Sequence, residues 1–355
     1  MITVGEVERR AHLVKGEPVE HGGRVRCVDR LFVPPIVDDV MNDATPTHAP
    51  SDRGDLAPIL ERKAYHEASV FQVENLLREG RRQRGRTNEH VPPVCILDPD
   101  GDVVRHLRTD NNARLHDGWA CYHSELWVTS VDGTEIGIVP CAVGASYAVL
   151  IAEQLVASGC VLIISITSAG RVLPLGDPPY FMIIERARRD EGTSLHYLPP
   201  SQWAHLDPAR LTQLRNGLDD LDEPVYFGSS WTTDAPFRET PTAIADAERA
   251  GVHAVEMEAS ALYAFAAARN AAVVCVAHVT NTLAVDGDDF EKGEADGTHR
   301  ILQLATAIAR RLQLTPARQR GRSVVEVDGW PVIEPIQGIA TTDADVRGWR
   351  DGDQR

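Results

Sequence analysis

The sequence is poor in the features that mark nucleic-acid-binding, secreted and membrane-spanning proteins. Its 36 Lys and Arg residues are outnumbered by 52 Asp and Glu residues, which gives a formal net charge of −16 at pH 7. Because sequence-independent binding of DNA or RNA requires a basic surface, the chain is a poor candidate for that function. Small molecules are the expected partners.

The sequence also lacks a secretory signal and an uninterrupted apolar span. Residues 1–10 contain two glutamates and no apolar core. The longest apolar region, residues 142–166, is broken by Glu153 and Gln154, whereas a membrane-spanning helix needs about 20 consecutive apolar residues. We therefore expect a cytoplasmic protein without a membrane partner.

Cysteine is sparse and forms no CxxC pair, and the histidines show no metal-ligand spacing. This distribution predicts buried free thiols in a reducing compartment and no metal site. The six cysteines are dispersed, several of them within apolar runs, at Cys27, Cys95, Cys121, Cys141, Cys160 and Cys275.

Strand-like and helix-like segments alternate along the chain, which predicts an α/β sheet with helices on its faces. With 355 residues and 43% hydrophobic content, the chain can form one large domain with extensions or two smaller domains. The predicted strands are 91–97, 125–129, 135–139, 161–166, 180–184 and 272–279, and the predicted helices are 64–79, 147–157, 208–218, 242–250, 259–268 and 299–312.

Two carboxylates, Glu256 and Glu258, lie at the start of an alanine-rich predicted helix. An ionised acid is rarely buried unless hydrogen-bond donors surround it. The free amides and dipole of a helix N-terminus supply part of that need. The neighbouring hydroxyls of a sugar would supply the rest, so the pair predicts a sugar-binding site.

Small residues and turn formers follow three of the predicted strands. They lie at residues 142–146, at Thr167–Gly170 and at Thr280-Asn281. In α/β proteins ligands bind at the carboxyl ends of strands, and Gly144, Ser168 and Gly170 offer amides and hydroxyls to an anion. We expect these turns to converge near the acidic pair.

Three segments together resemble the nucleoside phosphorylase superfamily of purine and uridine phosphorylases and nucleosidases. They are Ala254–Ala259, Ile164–Gly170 and Trp231–Pro236, and the resemblance extends over about residues 90–310. It implies an α/β fold with a single central mixed β-sheet flanked by helices, over residues 64–315. Residues 1–63 are then an N-terminal extension and residues 316–355 a C-terminal tail.

The resemblance implies an enzyme that cleaves the N-glycosidic bond of a nucleoside. The reaction would be phosphorolysis to the free base and (deoxy)ribose 1-phosphate, with inorganic phosphate as co-substrate and no cofactor. The transition state resembles an oxocarbenium ion, so carboxylates near the ribose and a donor at the base favour it. By match to the family, Met257 and Glu258 hold the ribose, with Glu256 at its edge. Family members also assemble as oligomers, so a homo-oligomer is expected.

The same resemblance implies the base site and the nucleophile site. Phe237 matches the aromatic contact to the base, with Arg238 or Glu239 as partners at the base edge. Asn281 stands where broad-specificity purine phosphorylases have an acidic residue, and it can donate a hydrogen bond but no proton. Phosphate or water is expected at Gly144, Thr167 and Ser168.

Two departures from the family leave phosphate and water open as the nucleophile. Ser165 stands where the phosphorylases carry an arginine, and their N-terminal Gly-Asp-x-x-Arg loop has no clean counterpart. Phosphate recognition normally uses a bidentate arginine. Asp29-Arg30 and the basic run 81–86 could supply cations instead. Nucleosidases of the superfamily lack the arginine and use water.

Two other classes of function fit parts of the sequence. Ser146 lies between strand and helix in Gly144–Ala148 and His278 follows later, which is the order of a serine hydrolase, but the second glycine of its elbow is missing. A non-catalytic nucleoside-binding protein is the other alternative, and Ser165 and Asn281 are the residues that favour it.

Overall fold

The computed structural model describes residues 57–61, 63–218, 225–283 and 290–312, together with the backbone of a short hairpin at 324–327 and 330–333. The predicted N-terminal extension lies almost entirely outside these residues, as does most of the predicted C-terminal tail. Cys27, Asp29 and Arg30 also lie outside them.

Strands and helices alternate over the described residues. The strands are β1 (Val94–Asp98), β2 (Arg114–Leu115), β3 (Trp127–Val131), β4 (Thr134–Pro140), β5 (Leu162–Arg171), β6 (Tyr180–Asp190), β7 (Trp203–His205), β8 (Val225–Thr233), β9 (Ala254–Glu256), β10 (Ala272–Asn281), β11 (Val324–Val327) and β12 (Trp330–Ile333). The helices are α1 (Val73–Arg84), α2 (Asp102–Thr109), α3 (Ala145–Ala157), α4 (Ser194–Tyr197), α5 (Pro208–Arg215), α6 (Pro241–Arg249), α7 (Ala259–Arg269) and α8 (Thr298–Leu312), with 3-10 turns at Pro58–Leu60, Pro236–Arg238 and Glu294–Gly297.

Strands β1 to β10 form one mixed sheet, which confirms the predicted fold class. Its parallel part has the order β4-β1-β5-β10. Strand β10 also pairs with β6, in antiparallel orientation. Strand β6 pairs with β8, and β8 pairs with β9. Strand β9 in turn pairs with the end of β5. The strands β5, β10, β6, β8 and β9 therefore form a closed ring, and the carboxyl ends of β1, β4, β5 and β10 lie at one edge of the sheet.

Most predicted elements are present, but several boundaries were wrong, and strand β8 and helix α2 were not predicted. Strand β6 continues to Asp190, six residues beyond its predicted end, because β8 pairs with it as far as that residue. The first helix begins at Val73 and ends at Arg84, where Gly85 follows with a left-handed φ of 62°. Val70 and Phe71 are exposed, so the apolar repeat that suggested an earlier start does not face the core. Residues 167–170, predicted as a turn, continue strand β5 because β10 pairs with them as far as Gly170.

The core consists of aliphatic side chains on the central strands and on the inner faces of α3, α7 and α8. Cys95, Cys121, Cys160 and Cys275 are buried free thiols, as predicted, whereas Cys141 is exposed. None of the helices in the described residues combines the length and hydrophobicity that crossing a membrane requires.

Candidate active site

The carboxyl edge of the parallel strands collects most of the predicted site residues. Strand β4 leads to Gly144, β5 carries Thr167 and Ser168, and β10 ends at Asn281. Strand β9 pairs with the last residues of β5 and ends at Glu256. The acidic pair therefore lies at the edge where α/β proteins bind ligands.

Glu256 is buried and accepts four hydrogen bonds from the chain itself. Its Oε1 accepts from Ser230 Oγ at 2.9 Å and Thr232 Oγ1 at 2.5 Å. Its Oε2 accepts from the backbone amides of Glu258 and Ala259, both at 2.7 Å. These amides open helix α7, so Glu256 satisfies the helix N-terminus and fixes its first turn. Burial nevertheless raises the pKa of Glu256.

Glu258 is also buried, but only one of its oxygens has a partner. Oε1 accepts a hydrogen bond of 2.7 Å from the backbone amide of Gly144. Oε2 makes no hydrogen bond of normal geometry among the described residues, although the nearby Thr167 hydroxyl acts to lower the pKa of this carboxyl group. Burial, and then the charge of Glu256, raise the pKa of Glu258 to about 8. An unpartnered buried carboxylate oxygen is costly, so this atom is the clearest opening for a ligand donor.

Gly144 owes its role to its backbone conformation. Its φ of +87° and ψ of 146° lie in a region that residues with a side chain rarely adopt. This conformation turns the chain from β4 into helix α3 and directs the Gly144 amide at Glu258. Met257 lies between the two glutamates and is half-buried, so its side chain remains accessible to a ligand.

Ser168 donates its hydrogen bonds to an aspartate that the sequence did not single out. Its amide and its Oγ both donate to Oδ2 of Asp100, at 3.1 and 2.7 Å. Asp100 belongs to the loop after β1, so it reaches the end of the neighbouring strand β5. Thr167, the other hydroxyl predicted for the nucleophile site, is buried and donates to the carbonyl of Ser168.

Three aspartates lie at the end of β1: Asp98 ends the strand, Asp100 lies in the loop and Asp102 begins α2. Asp98 is buried, and its carboxylate accepts from the amides of Gly101 and Val103, each at 3.1 Å, at the start of α2. Burial, and then the charges of Asp100 and Asp102, raise the pKa of Asp98 to about 7. This Asp-Pro-Asp-Gly-Asp sequence suggested only a turn. Its position directly after a buried parallel strand was the signal that could have identified it.

Asn281 ends β10 beside β5. Its Nδ2 donates long hydrogen bonds to the carbonyl of Ala169 and to Thr280 Oγ1, at 3.5 and 3.3 Å, and its Oδ1 accepts from the amide of Leu283 at 3.0 Å. The amide group is thus oriented by the chain. Its predicted role at the base remains a prediction.

The structure does not bring the predicted aromatic contact into the core. Phe237 and Arg238 lie on the 3-10 turn after β8, and the Phe237 side chain is fully exposed. Glu239, which follows, is half-buried, and burial raises its pKa. The predicted contact of Phe237 with the base remains a prediction.

The serine hydrolase alternative finds no support in the geometry. Ser146 is exposed in the first turn of α3, whereas His278 is buried in β10 and stacks on Phe181 at 4.4 Å. Within the described part of the chain, His278 Nε2 has no hydrogen-bond partner, so the two residues form no dyad. Burial lowers the pKa of His278 to about 4, and its ring is neutral at pH 7.

Comparison with known proteins identifies the family of this chain. The profile of the phosphorylase superfamily matches residues 74–312. Guanosine phosphorylase of Halorubrum lacusprofundi is 27% identical over 185 residues, which are 49% of this chain and 76% of that protein.

Solved structures show the same fold. Uridine phosphorylase from Vibrio fischeri ES114, complexed with 6-hydroxy-1-naphthoic acid, superposes with a TM-score of 0.55 at 21% identity, over 66% of this chain and 99% of that chain. A second structure of uridine phosphorylase from Vibrio fischeri ES114 gives a TM-score of 0.54 at 22% identity, over 64% and 95% of the two chains. The family profile covers more than half of the chain and confirms the resemblance and the predicted enzyme class: this protein belongs to the phosphorylase superfamily.

Proposed function

We propose that this protein cleaves the N-glycosidic bond of a nucleoside by phosphorolysis, releasing the free base and (deoxy)ribose 1-phosphate. One observation carries the proposal: Glu258 Oε2 is buried and unpartnered among the described residues, while Oε1 is fixed by Gly144. A ribose hydroxyl would supply the missing donor. Membership of the superfamily and the likeness to a guanosine phosphorylase support the same activity.

Glu258 has the environment that this reaction needs. Burial and the charge of Glu256 raise the pKa of Glu258 to about 8 and so favour the protonated form of its carboxyl group. A hydroxyl that donates to Oε2 favours the ionised form. The resulting carboxylate lies beside the sugar as positive charge develops at the anomeric carbon, and it stabilises that charge in a buried setting where electrostatic interactions are strong.

The other residues complete a dissociative mechanism. Met257 packs against the ribose, and Glu256 acts as a positioning residue because its two oxygens hold the first turn of α7. Asn281 donates a hydrogen bond to the departing base and so stabilises its negative charge. Phe237 covers the base when its turn closes, with Arg238 at the base edge. Phosphate attacks the sugar from the end of β5.

Hydrolysis is the second candidate, and a specific contact favours it. Ser165 supplies no cation, and the carboxylate of Asp100 is bound to the Ser168 amide and hydroxyl. A carboxylate at this position repels phosphate and can accept a proton from water. We prefer phosphate to water as the nucleophile because the chain is similar to a guanosine phosphorylase.

Product analysis separates these reactions. The protein is incubated with a mixture of purine and pyrimidine nucleosides, with and without inorganic phosphate, and the products are identified by mass spectrometry. Ribose 1-phosphate that forms only with phosphate supports phosphorolysis, and free ribose in both samples supports hydrolysis. Intact nucleosides in both samples identify a non-catalytic binder and contradict the proposal.

The same proposal covers the location of the enzyme, its assembly and its need for cofactors. It acts in the cytoplasm as a homo-oligomer on a small-molecule nucleoside, and it needs no metal ion or organic cofactor. Inorganic phosphate is its co-substrate. The resemblance to the family and the composition of the chain support these points.

A further inference from the structure

Three donors converge on one carboxylate oxygen at the end of β5. Oδ2 of Asp100 accepts from the Ser168 amide at 3.1 Å and from Ser168 Oγ at 2.7 Å. Lys292 Nζ lies 3.2 Å from the same oxygen. An amide, a hydroxyl and an ammonium group around one anionic oxygen form the kind of site that binds phosphate oxygens.

Lys292 supplies the positive charge that position 165 does not. Ser165 is buried in β5, and its Oγ has no partner among the described residues. The Lys292 side chain is only 16% exposed and is also paired with Asp102. Although burial opposes it, hydrogen bonding to Asp102 and the charge of Asp100 raise the pKa of Lys292. Lys292 is therefore a fixed cation at this edge of the sheet.

The space beside these donors is too small for phosphate while Asp100 is present. The cavity there has a volume of about 10 Å³, which is room for about one water molecule. Its polar lining consists of Ser168, Lys292 and His278 together with four aspartates, Asp98, Asp100, Asp102 and Asp296, of which Asp100 alone accepts from Ser168. His278 is buried, and its Nε2 lacks a partner among the described residues, so the cavity contains a polar atom that can bond to a ligand. The Asp100 side chain is 33% exposed, so its carboxylate borders solvent.

We propose that Asp100 Oδ2 occupies the position of a phosphate oxygen, that Lys292 is the cation of this phosphate site in place of an arginine at position 165, and that phosphate binds by displacing the Asp100 carboxylate. This inference rests on the proposed function, because it takes the end of β5 as the phosphate site. Two residues then determine the specificity for the nucleophile: Asp100 opposes phosphate, and Lys292 attracts it.

Charge makes the two anions mutually exclusive. With Asp100 in place, phosphate would meet a carboxylate bonded to the donors that it needs. Once Asp100 has moved, Ser168 and Lys292 face phosphate, and Asp102 still holds Lys292 in position. Removing the charge of Asp100 should therefore strengthen phosphate binding, and removing the charge of Lys292 should weaken it.

Calorimetric titration with inorganic phosphate, in the absence of nucleoside, tests whether Asp100 competes with phosphate. We expect the Kd for phosphate of Asp100→Asn to fall on the order of tenfold, the effect of about 1.4 kcal/mol of removed competition. Asp110→Asn is the matched control, because Asp110 is an exposed aspartate at the other end of α2, and it should bind phosphate as the unchanged protein does. An unchanged or higher Kd in Asp100→Asn would overturn the inference.

Lys292→Gln tests whether Lys292 attracts phosphate, and its effect on phosphate affinity should be opposite to that of Asp100→Asn. We expect its Kd for phosphate to rise on the order of tenfold, with the KM for phosphate rising in turnover assays while the KM for nucleoside stays within twofold. Lys63→Gln is the control, since the Lys63 ammonium group bonds only to the carbonyl of Pro58 in the described contacts. Phosphate binding that is unaffected by Lys292→Gln would remove Lys292 from the site.

The binding measurements separate this inference from the proposed function. Shifts in phosphate affinity in both expected directions, with no nucleoside cleaved, would contradict the proposed function and leave the inference in place. Phosphorolysis by the unchanged protein, with a phosphate Kd unchanged by Asp100→Asn, would support the proposed function and contradict the inference. If Asp100→Asn abolishes release of free ribose, Asp100 is a base for water, and its assignment as a displaceable occupant is wrong.

Discussion

Two acidic regions lie at the same edge of the sheet, and they are held in different ways. Glu256 and Glu258 accept hydrogen bonds from backbone amides and from the hydroxyls of a serine and a threonine. Of the three aspartates at the end of β1, Asp98 and Asp100 also accept hydrogen bonds from backbone amides, but Asp100 and Asp102 pair with cations. These pairs are Asp100 and Asp102 with Lys292, and Asp102 with Arg105.

This difference separates two kinds of chemistry. In our proposal, a sugar hydroxyl that donates to Glu258 favours the ionised form of this carboxyl group beside a sugar on which positive charge develops. A carboxylate paired with a lysine can be exchanged for another anion, because the lysine remains to receive it. In our proposals the glutamate region binds the sugar, and phosphate replaces the Asp100 carboxylate beside Lys292.

Replacement of Glu256 should give the largest effect and test whether its role is structural. Glu256→Ala leaves two amides and two buried hydroxyls without their acceptor. Unpaired buried donors cost about 1–3 kcal/mol each, and partial relaxation reduces the sum, so we expect the free energy of unfolding to fall by about 4 kcal/mol. Urea denaturation measures it. Glu248→Ala, in an exposed part of α6, should change it by less than about 0.5 kcal/mol.

A small loss of stability in Glu256→Ala would show that the four hydrogen bonds contribute little to the fold. The two glutamates would then be equivalent, and a direct contact between Glu256 and the ribose would become the better explanation of its position.

Replacement of Glu258 should act on turnover rather than on the fold. Glu258→Gln keeps an oxygen for the Gly144 amide but removes the charge beside the sugar. We expect kcat/KM to fall by about 100-fold, which corresponds to about 2.7 kcal/mol of transition-state stabilisation. Steady-state kinetics with the best nucleoside from the product analysis measures the loss. Glu248→Gln is the control, and a Glu258→Gln enzyme within twofold of normal would exclude Glu258 from the mechanism.

The sequence predicted the sheet and the glutamate region better than the aspartate region. Long apolar runs and helical periodicity depend on local residues, so β5, β10, α3, α7 and α8 were identified with small errors at their ends. The glutamates stood out because two acids interrupt an apolar segment. The contact of Asp100 with Ser168 joins residues 68 positions apart, and an Asp-Pro-Asp-Gly sequence has the composition of an ordinary turn. Only the pairing of β1 with β5 brings them together.

The pH dependence of stability should also distinguish Glu258. An acid whose pKa is raised on folding, here from 4.5 to about 8, holds its proton more tightly in the folded state. Its contribution therefore favours the folded state at low pH and is lost as pH rises from about 4.5 to about 8. Between pH 6 and pH 9, the protein should lose about 1 kcal/mol or more of stability relative to Glu258→Gln. Denaturation of both proteins at the two pH values measures this, and parallel curves would contradict the raised pKa.

The smallest effect is expected at Phe237, which belongs to neither acidic region. Its side chain is fully exposed, so Phe237→Ala should leave the melting temperature unchanged. If the turn closes over the base, loss of an aromatic contact worth about 0.5–1.5 kcal/mol should raise the KM for nucleoside by about threefold. Phe71→Ala is the matched control, because Phe71 is exposed before the start of α1 and should change neither quantity. A KM for Phe237→Ala equal to that of the control would mean that the acidic regions and Asn281 recognise the nucleoside without an aromatic cover.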